Sequence, residues 1–352
     1  MHLDDHRAFV TVDPGDALGD VEATAAQWRD ARSISEAPLD LTDVDHVLIS
    51  GMGGSGIAGD VLWALGLHRF ERPIIVHKGY GVPAFTGRRT LLIAFSYSGS
   101  TEETLSAFAE AGERGAQRFA VTSGGPLAEA CDAAGTPVAA IPPGGARPPR
   151  HSLGYLLVPA LIALGLGDGI DEAIEVLEEV AAEQGRAVET AANPAKALAA
   201  RLATGVVPLT WGGHGLGSVA AYRLKCQLNE NAKLPALHAE LPEADHNDVV
   251  GWEEPSALSG IGALIGLRDT AGEHPRVQRR FAVTLDLLAS RIAWSVDITA
   301  RGSAPVARLA ALLLQADLVS VYTALAADRD PSPIASIDRL KDELSTPLTV
   351  KQ

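Results

Sequence analysis

The feature that most constrains this chain is a short, almost unbroken apolar run that recurs between longer amphipathic stretches. VLIS, PIIV and LLIAF stand within the candidate strands His46–Ser50, Pro73–His77 and Thr90–Phe95. Arg118–Thr122 and Pro137–Ile141 continue the series. Strands apolar on both faces belong to parallel sheets covered by helices on either side. The alternation with helical segments such as Thr101–Arg114 therefore predicts a doubly wound α/β unit.

The series stops at the Pro/Gly/Arg loop 142–150 (PPGGARPPR). Helical patterns follow over Ser152–Leu166 and Asp171–Ala192, and Asn193-Pro194 has the form of a cap followed by a first-turn proline. Strand Val206–Trp211, turn GGHGLG and helix Ser218–Asn231 then restart the earlier pattern. Gly260–Leu267 and Ile292–Asp297 read as further strands, with helices at Pro305–Ala327 and Pro333–Leu344. The expectation is two doubly wound, three-layer parallel-sheet domains in tandem: 1–152, connecting helices 153–192, and 193–352.

Charge narrows the function classes. The 352 residues carry 44 Asp+Glu against 29 Lys+Arg, a formal −15, with no basic cluster for a nucleic-acid backbone. Cys131 and Cys226 are the only cysteines and lack CxxC spacing, so neither a disulfide framework nor a cysteine zinc site is expected. The first residues lack the pattern of a secretory leader, and unbroken apolar tracts such as Leu309–Leu314 are short of a membrane span. A cytoplasmic protein is expected, without membrane or nucleic-acid partners.

Two turns carry the chemistry. In ISGMGGSGIAGD, Gly51, Gly53 and Gly56 satisfy the dinucleotide pattern G-x-G-x-x-G. The next strand ends in Val76-His77-Lys78-Gly79, however, where a nicotinamide site needs an acidic residue for the ribose. What remains is backbone N–H groups at a helix start, suited to an anion or a sugar hydroxyl. The second turn, AFSYSGSTEET (94–104), gathers Ser96, Ser98, Ser100, Thr101 and Thr104 at a strand-to-helix junction. Hydroxyls and amides converging there suit a phosphate monoester. Ser100 and Glu103 have capping-box spacing.

GMGGSGIAGD, SYSGSTEET, PPR before a helix, LKCQLNENAKLP, the DHN of EADHNDVVGW and PSPIASIDRLKDEL occur in that order over about residues 47–344. Together they resemble the bifunctional phosphoglucose/phosphomannose isomerase family of sugar isomerase (SIS) domain proteins. The resemblance implies interconversion of glucose 6-phosphate or mannose 6-phosphate with fructose 6-phosphate through a cis-enediolate, with no cofactor and no metal. It implies Glu230 as the base moving the proton between C1 and C2, and Arg150 as the cation facing the enediolate. His246, contributed across a homodimer interface, and Lys341 would open the sugar ring. Gly53, Gly54 and Ser55 would join the serine/threonine turn in holding the substrate. Arg147 could stand in for Arg150, and His151-Ser152 is bulkier or more polar than the small residues expected there.

Alternatives stay open on sequence alone: a non-catalytic phosphosugar sensor, an isomerase of another phosphosugar and, last, a nicotinamide dehydrogenase. His238, Glu240, Glu243, Asp245 and His246 lie near one another, but their spacing matches no standard zinc pattern. Trp211, Trp252 and Trp294 read as core residues.

Overall fold

Three helices, α1 (His6–Val12), α2 (Ala17–Glu22) and α3 (Thr24–Ser33), precede the first strand in the computed structural model, which describes residues 3–35, 37–143 and 147–344. The sequence pattern placed no elements there. Asp13 accepts from the amides of Ala17 and Leu18 at 2.9 Å and so starts α2. Trp28 on α3 is buried, and α3 packs against the helices that follow the first sheet.

The first sheet is built from β1 (His46–Ser50), β2 (Ile74–His77), β3 (Thr90–Phe95), β4 (Gln117–Thr122) and β5 (Val138–Ala140). Helices α4 (Gly53–Gly66), α5 (Glu102–Glu113) and α6 (Gly125–Ala134) connect them. All pairings are parallel, in the order β2-β1-β3-β4-β5. Every residue of β3 is buried, which is why its sequence shows no alternation. Strand order reverses between β1 and β3. That is the switch point of an open sheet, where two loops leave in opposite directions and a crevice opens. Both chemically marked turns, after β1 and after β3, border this crevice.

Helices α7 (Leu153–Ala163), α8 (Ile170–Gln184) and α9 (Pro194–Leu202) lead to the second sheet. Asn193 caps α9 through the amide of Lys196 at 3.0 Å, as its place before proline predicts. The helical expectation over Asp171–Ala192 is too long: α8 ends at Gln184, and Gly185 is extended. The second sheet holds β6 (Val207–Gly213), β7 (Leu237–Leu241), β8 (Gly262–Arg268) and β9 (Trp294–Thr299). It is parallel throughout, in the order β7-β6-β8-β9. Helices α10 (Leu216–Glu230) and α11 (Pro275–Leu288) lie within this series. Strand β7 and helix α11 had no sequence-based assignment. LHAEL alternates rather than running apolar, because β7 is a half-covered edge strand.

Helix α12 (Pro305–Ala326) is the central post, packing on α8, α9 and α10. It is 22 residues long with a mean hydropathy of 1.7 over its most apolar stretch, enough by length and composition to cross a membrane, which unbroken tracts such as Leu309–Leu314 do not reveal. Here 94% of that stretch is buried inside the fold. The largest cluster of buried side chains runs from Leu3 to Leu325 and draws on both halves, so α12 anchors them to one core. Helix α13 (Ala335–Leu344) follows and buries none of its residues.

Candidate active site

Arg150 sits in a short 3₁₀ turn, Pro149–His151, between the first sheet and α7. Its side chain crosses to the second half and is 3% exposed. Nε donates to Asn231 Oδ1 at 2.7 Å, and Nη2 donates to the carbonyls of Pro331 and Ser332 at 2.8 and 2.9 Å. Nη1 points elsewhere: its nearest anionic partner is Glu230 Oε2 at 3.6 Å, too long for a good hydrogen bond. The guanidinium is thus tethered through two nitrogens, while the third faces the carboxylate with donor capacity in reserve. Burial pushes Arg150 below its ordinary value, and Glu230 pulls it back.

The first glycine turn brings that arginine close. A Cβ on Gly54 would lie 3.1 Å from Arg150 Cα and 3.2 Å from its nitrogen, so the start of α4 abuts the arginine's backbone with no room for a side chain. Ser55 Oγ accepts from the amide of Tyr97 at 3.4 Å, tying this turn to the one after β3. Gly53 lies at the crevice edge and has φ +51°.

In the turn after β3, Ser98 and Ser100 are exposed, with Oγ atoms 2.9 Å apart. Ser96 is buried. Its Oγ lies 2.9 Å from Thr101 Oγ1 and accepts from the Thr101 amide at 3.4 Å. Thr104 is directed inward, donating to the Phe95 carbonyl at 3.4 Å. The five hydroxyl residues therefore divide, with Ser98, Ser100 and Thr101 presented at the crevice and Ser96 and Thr104 shaping the loop beneath. The capping box does not form. Helix α5 starts at Glu102 with Thr101 as an extended cap, and among the described residues no side chain caps its first amides. Those free donors, with hydroxyls beside them, are what an anionic group needs. The corresponding switch point of the second sheet is filled. Arg268, ending β8, pairs with Glu273 at 2.8 Å and Asp297 at 3.1 Å, and Glu273 packs against Gly213 at the end of β6.

Glu230 is the last residue of α10, its side chain 26% exposed. Lys233 is exposed as a residue, yet its ammonium turns onto the carbonyls of Asn231, Asp330 and Pro331 at 3.2, 2.7 and 3.1 Å. Desolvation and the neighbouring Arg150 push it down to about 8. Arg329 donates to the Ala232 carbonyl at 2.8 Å, so cations on both sides staple the 329–332 segment against the end of α10.

His246 and Lys341 are not brought into this cluster within the single chain. His246 is exposed at the end of the 3₁₀ turn Glu243–His246, which Asp245 anchors to Arg280 at 2.9 Å and Thr284 at 2.7 Å. Lys341 is exposed on α13. Arg150 is bonded to the Ser332 carbonyl, three residues before Ala335, so α13 begins beside the site. The acidic and histidine residues near His246 are separately engaged: His238 Nε2 lies 3.2 Å from the Ser218 carbonyl, and Glu240 Oε1 lies 2.7 Å from His214 Nδ1. Arg147 pairs with Asp20 at 2.8 Å, away from Glu230, which leaves Arg150 as the arginine at the carboxylate. His151 is buried, with neither ring nitrogen hydrogen-bonded among the described residues and Nδ1 3.9 Å from Asp20 Oδ2. Trp211 is buried as expected, whereas Trp252 and Trp294 are only partly buried and pack against the core edge.

Asn231, Arg223, Asp317 and Lys233 were not singled out from the sequence. Arg223 holds the Arg150 carbonyl at 2.8 Å and is itself gripped by Asp317 at 2.6 and 2.8 Å. The signal for Asn231 and Lys233 lay in LKCQLNENAKLP, where polar residues interrupt a helix that should be apolar, whereas Arg223 and Asp317 stand outside that motif.

Residues 191–344 match the family described as Bacterial phospho-glucose isomerase C-terminal SIS domain. A bifunctional phosphoglucose/phosphomannose isomerase of Caldicellulosiruptor bescii is 38% identical over 86% of this chain and 90% of its own length. One of Aquifex aeolicus is 36% identical over 87% and 92%. In fold, the chain is similar to a glucose-6-phosphate isomerase like protein of Thermus thermophilus, with a TM-score of 0.64 at 20% identity, covering 97% of this chain and 99% of that one.

Proposed function

The chain belongs to the bifunctional phosphoglucose/phosphomannose isomerase family, and we propose that it interconverts glucose 6-phosphate or mannose 6-phosphate with fructose 6-phosphate. In this reading the ester phosphate lies at the start of α5, on Ser98, Ser100, Thr101 and free backbone amides, with the sugar running towards Gly53, Gly54 and Ser55. Glu230 takes the proton from C2 of the open-chain aldose as negative charge builds on the C1 oxygen. Arg150 Nη1 meets that charge, and a preset cation there is worth several kcal/mol in the transition state. Returning the proton to C1, with the proton on the C2 oxygen passing to the C1 oxygen, completes the ketose. His246 from a second subunit of a cytoplasmic homodimer, with Lys341 from α13, would open the ring.

The observation that carries this reading is the 3.6 Å approach of Arg150 Nη1 to Glu230 beside the hydroxyl-lined turn. It supports the reading because a carboxylate and a cation that close together can both face one substrate carbon pair. The test is direct. Purified, chelator-treated protein is expected to convert fructose 6-phosphate into glucose and mannose 6-phosphates, and the product ratio over time reads the preference at C2. Phosphosugar binding without turnover would instead make the chain a sensor.

A further inference from the structure

Arg150 can stabilise charge only if its planar group is held at one rotation, and among its three acceptors only one is a side chain. Nη2 is tied to two carbonyls of the segment before α13, whereas Nε is tied to Asn231, which is fully buried. The orientation of the Asn231 amide follows from chemistry: Arg150 has no acceptor, so the oxygen must face it. The amide nitrogen then donates to Ser320 Oγ at 2.9 Å, and Ser320 donates to the Asp317 carbonyl at 2.7 Å. A chain of buried polar groups thus runs from the central post α12, through Asn231, to the Nε of Arg150. Asn231 also follows Glu230 directly, so the last turn of α10 carries the base and, one residue on, the acceptor that aims the cation.

We propose that Asn231 is a positioning residue for the isomerisation, setting the rotation of the Arg150 guanidinium so that Nη1 faces the reacting oxygens rather than the protein. This rests on the functional reading above and adds a residue to it. Asn231 does not touch substrate; it acts through Arg150. The phosphate end is bound elsewhere, so its role belongs to the charged intermediate and not to ground-state binding.

The expected result for Asn231→Ala is a fall in kcat of about 10- to 100-fold, the scale of losing one aligned transition-state donor, with KM for fructose 6-phosphate moving less than about threefold. Two binding probes separate positioning from general damage. A phosphorylated aldonate, whose carboxylate mimics the enediolate, should lose affinity in step with kcat, while a neutral phosphorylated hexitol should bind as before. Asn231→Asp keeps the acceptor for Nε and should restore most of the turnover. Asn231→Gln keeps the amide but displaces the acceptor by one methylene, and should not. Ser320→Ala, which removes only the far partner, should be milder than Asn231→Ala. Equal loss of both probes, full turnover in Asn231→Gln, or a Ser320→Ala defect as large as that of Asn231→Ala would overturn the proposal. Wild-type protein that neither turns over nor binds either probe would overturn the functional reading and this proposal with it. Wild-type discrimination preserved in Asn231→Ala would overturn the proposal alone. If Asn231→Ala does not fold, the contrast between Asn231→Asp and Asn231→Gln decides.

Discussion

Arg150 Nη1 faces Glu230 Oε2 across 3.6 Å, and the two residues come from opposite halves of the chain. The arginine follows the first sheet and the glutamate ends a helix of the second, so the approach exists only when the two halves are packed together, as where α4 meets α10. Glu230→Gln keeps the shape and removes the base. Turnover is expected to fall at least about 10²-fold with little change in melting temperature. Steady-state kinetics beside thermal unfolding checks this, and a fully active variant would refute the assignment.

Arg150→Lys should fail in both activity and stability. A lysine cannot serve Asn231, two carbonyls and Glu230 at once, and buried acceptors left unpaired cost about 1–3 kcal/mol each. Urea unfolding should show that loss, and kcat should drop with it.

Two glycines separate binding from chemistry. Gly99 has φ +71°, and a Cβ there would lie 1.8 Å from the Gly124 carbonyl oxygen. Gly99→Ala must therefore distort the hydroxyl turn and raise KM for the phosphosugar, by about tenfold or more if one charge-assisted hydrogen bond is lost. Gly54→Ala would press on the Arg150 backbone at 3.1 Å, and should lower kcat more than it raises KM.

The Arg223–Asp317 pair is nearly buried, on α10 and α12. Asp317→Ala leaves an unpaired cation in the core and should destabilise by about 3–5 kcal/mol. Pairing Asp317→Leu with Arg223→Met should recover much of that in denaturant titration. Turnover should stay low, since the Arg150 carbonyl has then lost its donor.

Lys233 provides a pH signature. Its folded value of about 8 lies below the ordinary 10.5, so the folded chain holds this proton more weakly than the unfolded chain does. Below about 8 both states are charged and the folded state carries the full penalty. Between 8 and 10.5 the unfolded chain binds more protons, and this residue's contribution to stability rises with pH. Urea unfolding from about pH 7 to 10 should show that rise in the wild type relative to Lys233→Met; identical slopes would contradict it.

Mixing tests the shared site. If His246 acts across a homodimer, Glu230→Gln and His246→Ala proteins are each inactive, but their heterodimer contains one intact site. Statistical exchange then restores roughly a quarter of the wild-type rate. A site confined to one chain restores nothing.

The parallel-sheet fold was legible because burial on both faces writes itself as unbroken apolar runs: His46–Ser50 and Thr90–Phe95 match β1 and β3 residue for residue. β7 was not legible, since LHAEL at a sheet edge carries polar residues that a strand in the middle would exclude. The end of α8 was misplaced because Gly185 stops the helix well before the pattern fades. At the site, Glu230 and the hydroxyl turn stood out as polar interruptions at the ends of apolar elements. Their division of labour did not: that Ser96 and Thr104 turn inward while Ser98 and Ser100 face out depends on how the loop folds back on β3.

The order of residues alone thus determined the two parallel sheets and the anion-ready turn, because strand burial and helix-end chemistry are properties of neighbours along the chain. The tertiary structure decided which arginine faces the carboxylate, and at what angle. Arg150, Asn231 and the stretch carrying Ser320 and Pro331 are far apart in sequence, and only the packing of α10 against α12 and of the Arg150 turn against α10 brings their donors and acceptors within bonding distance.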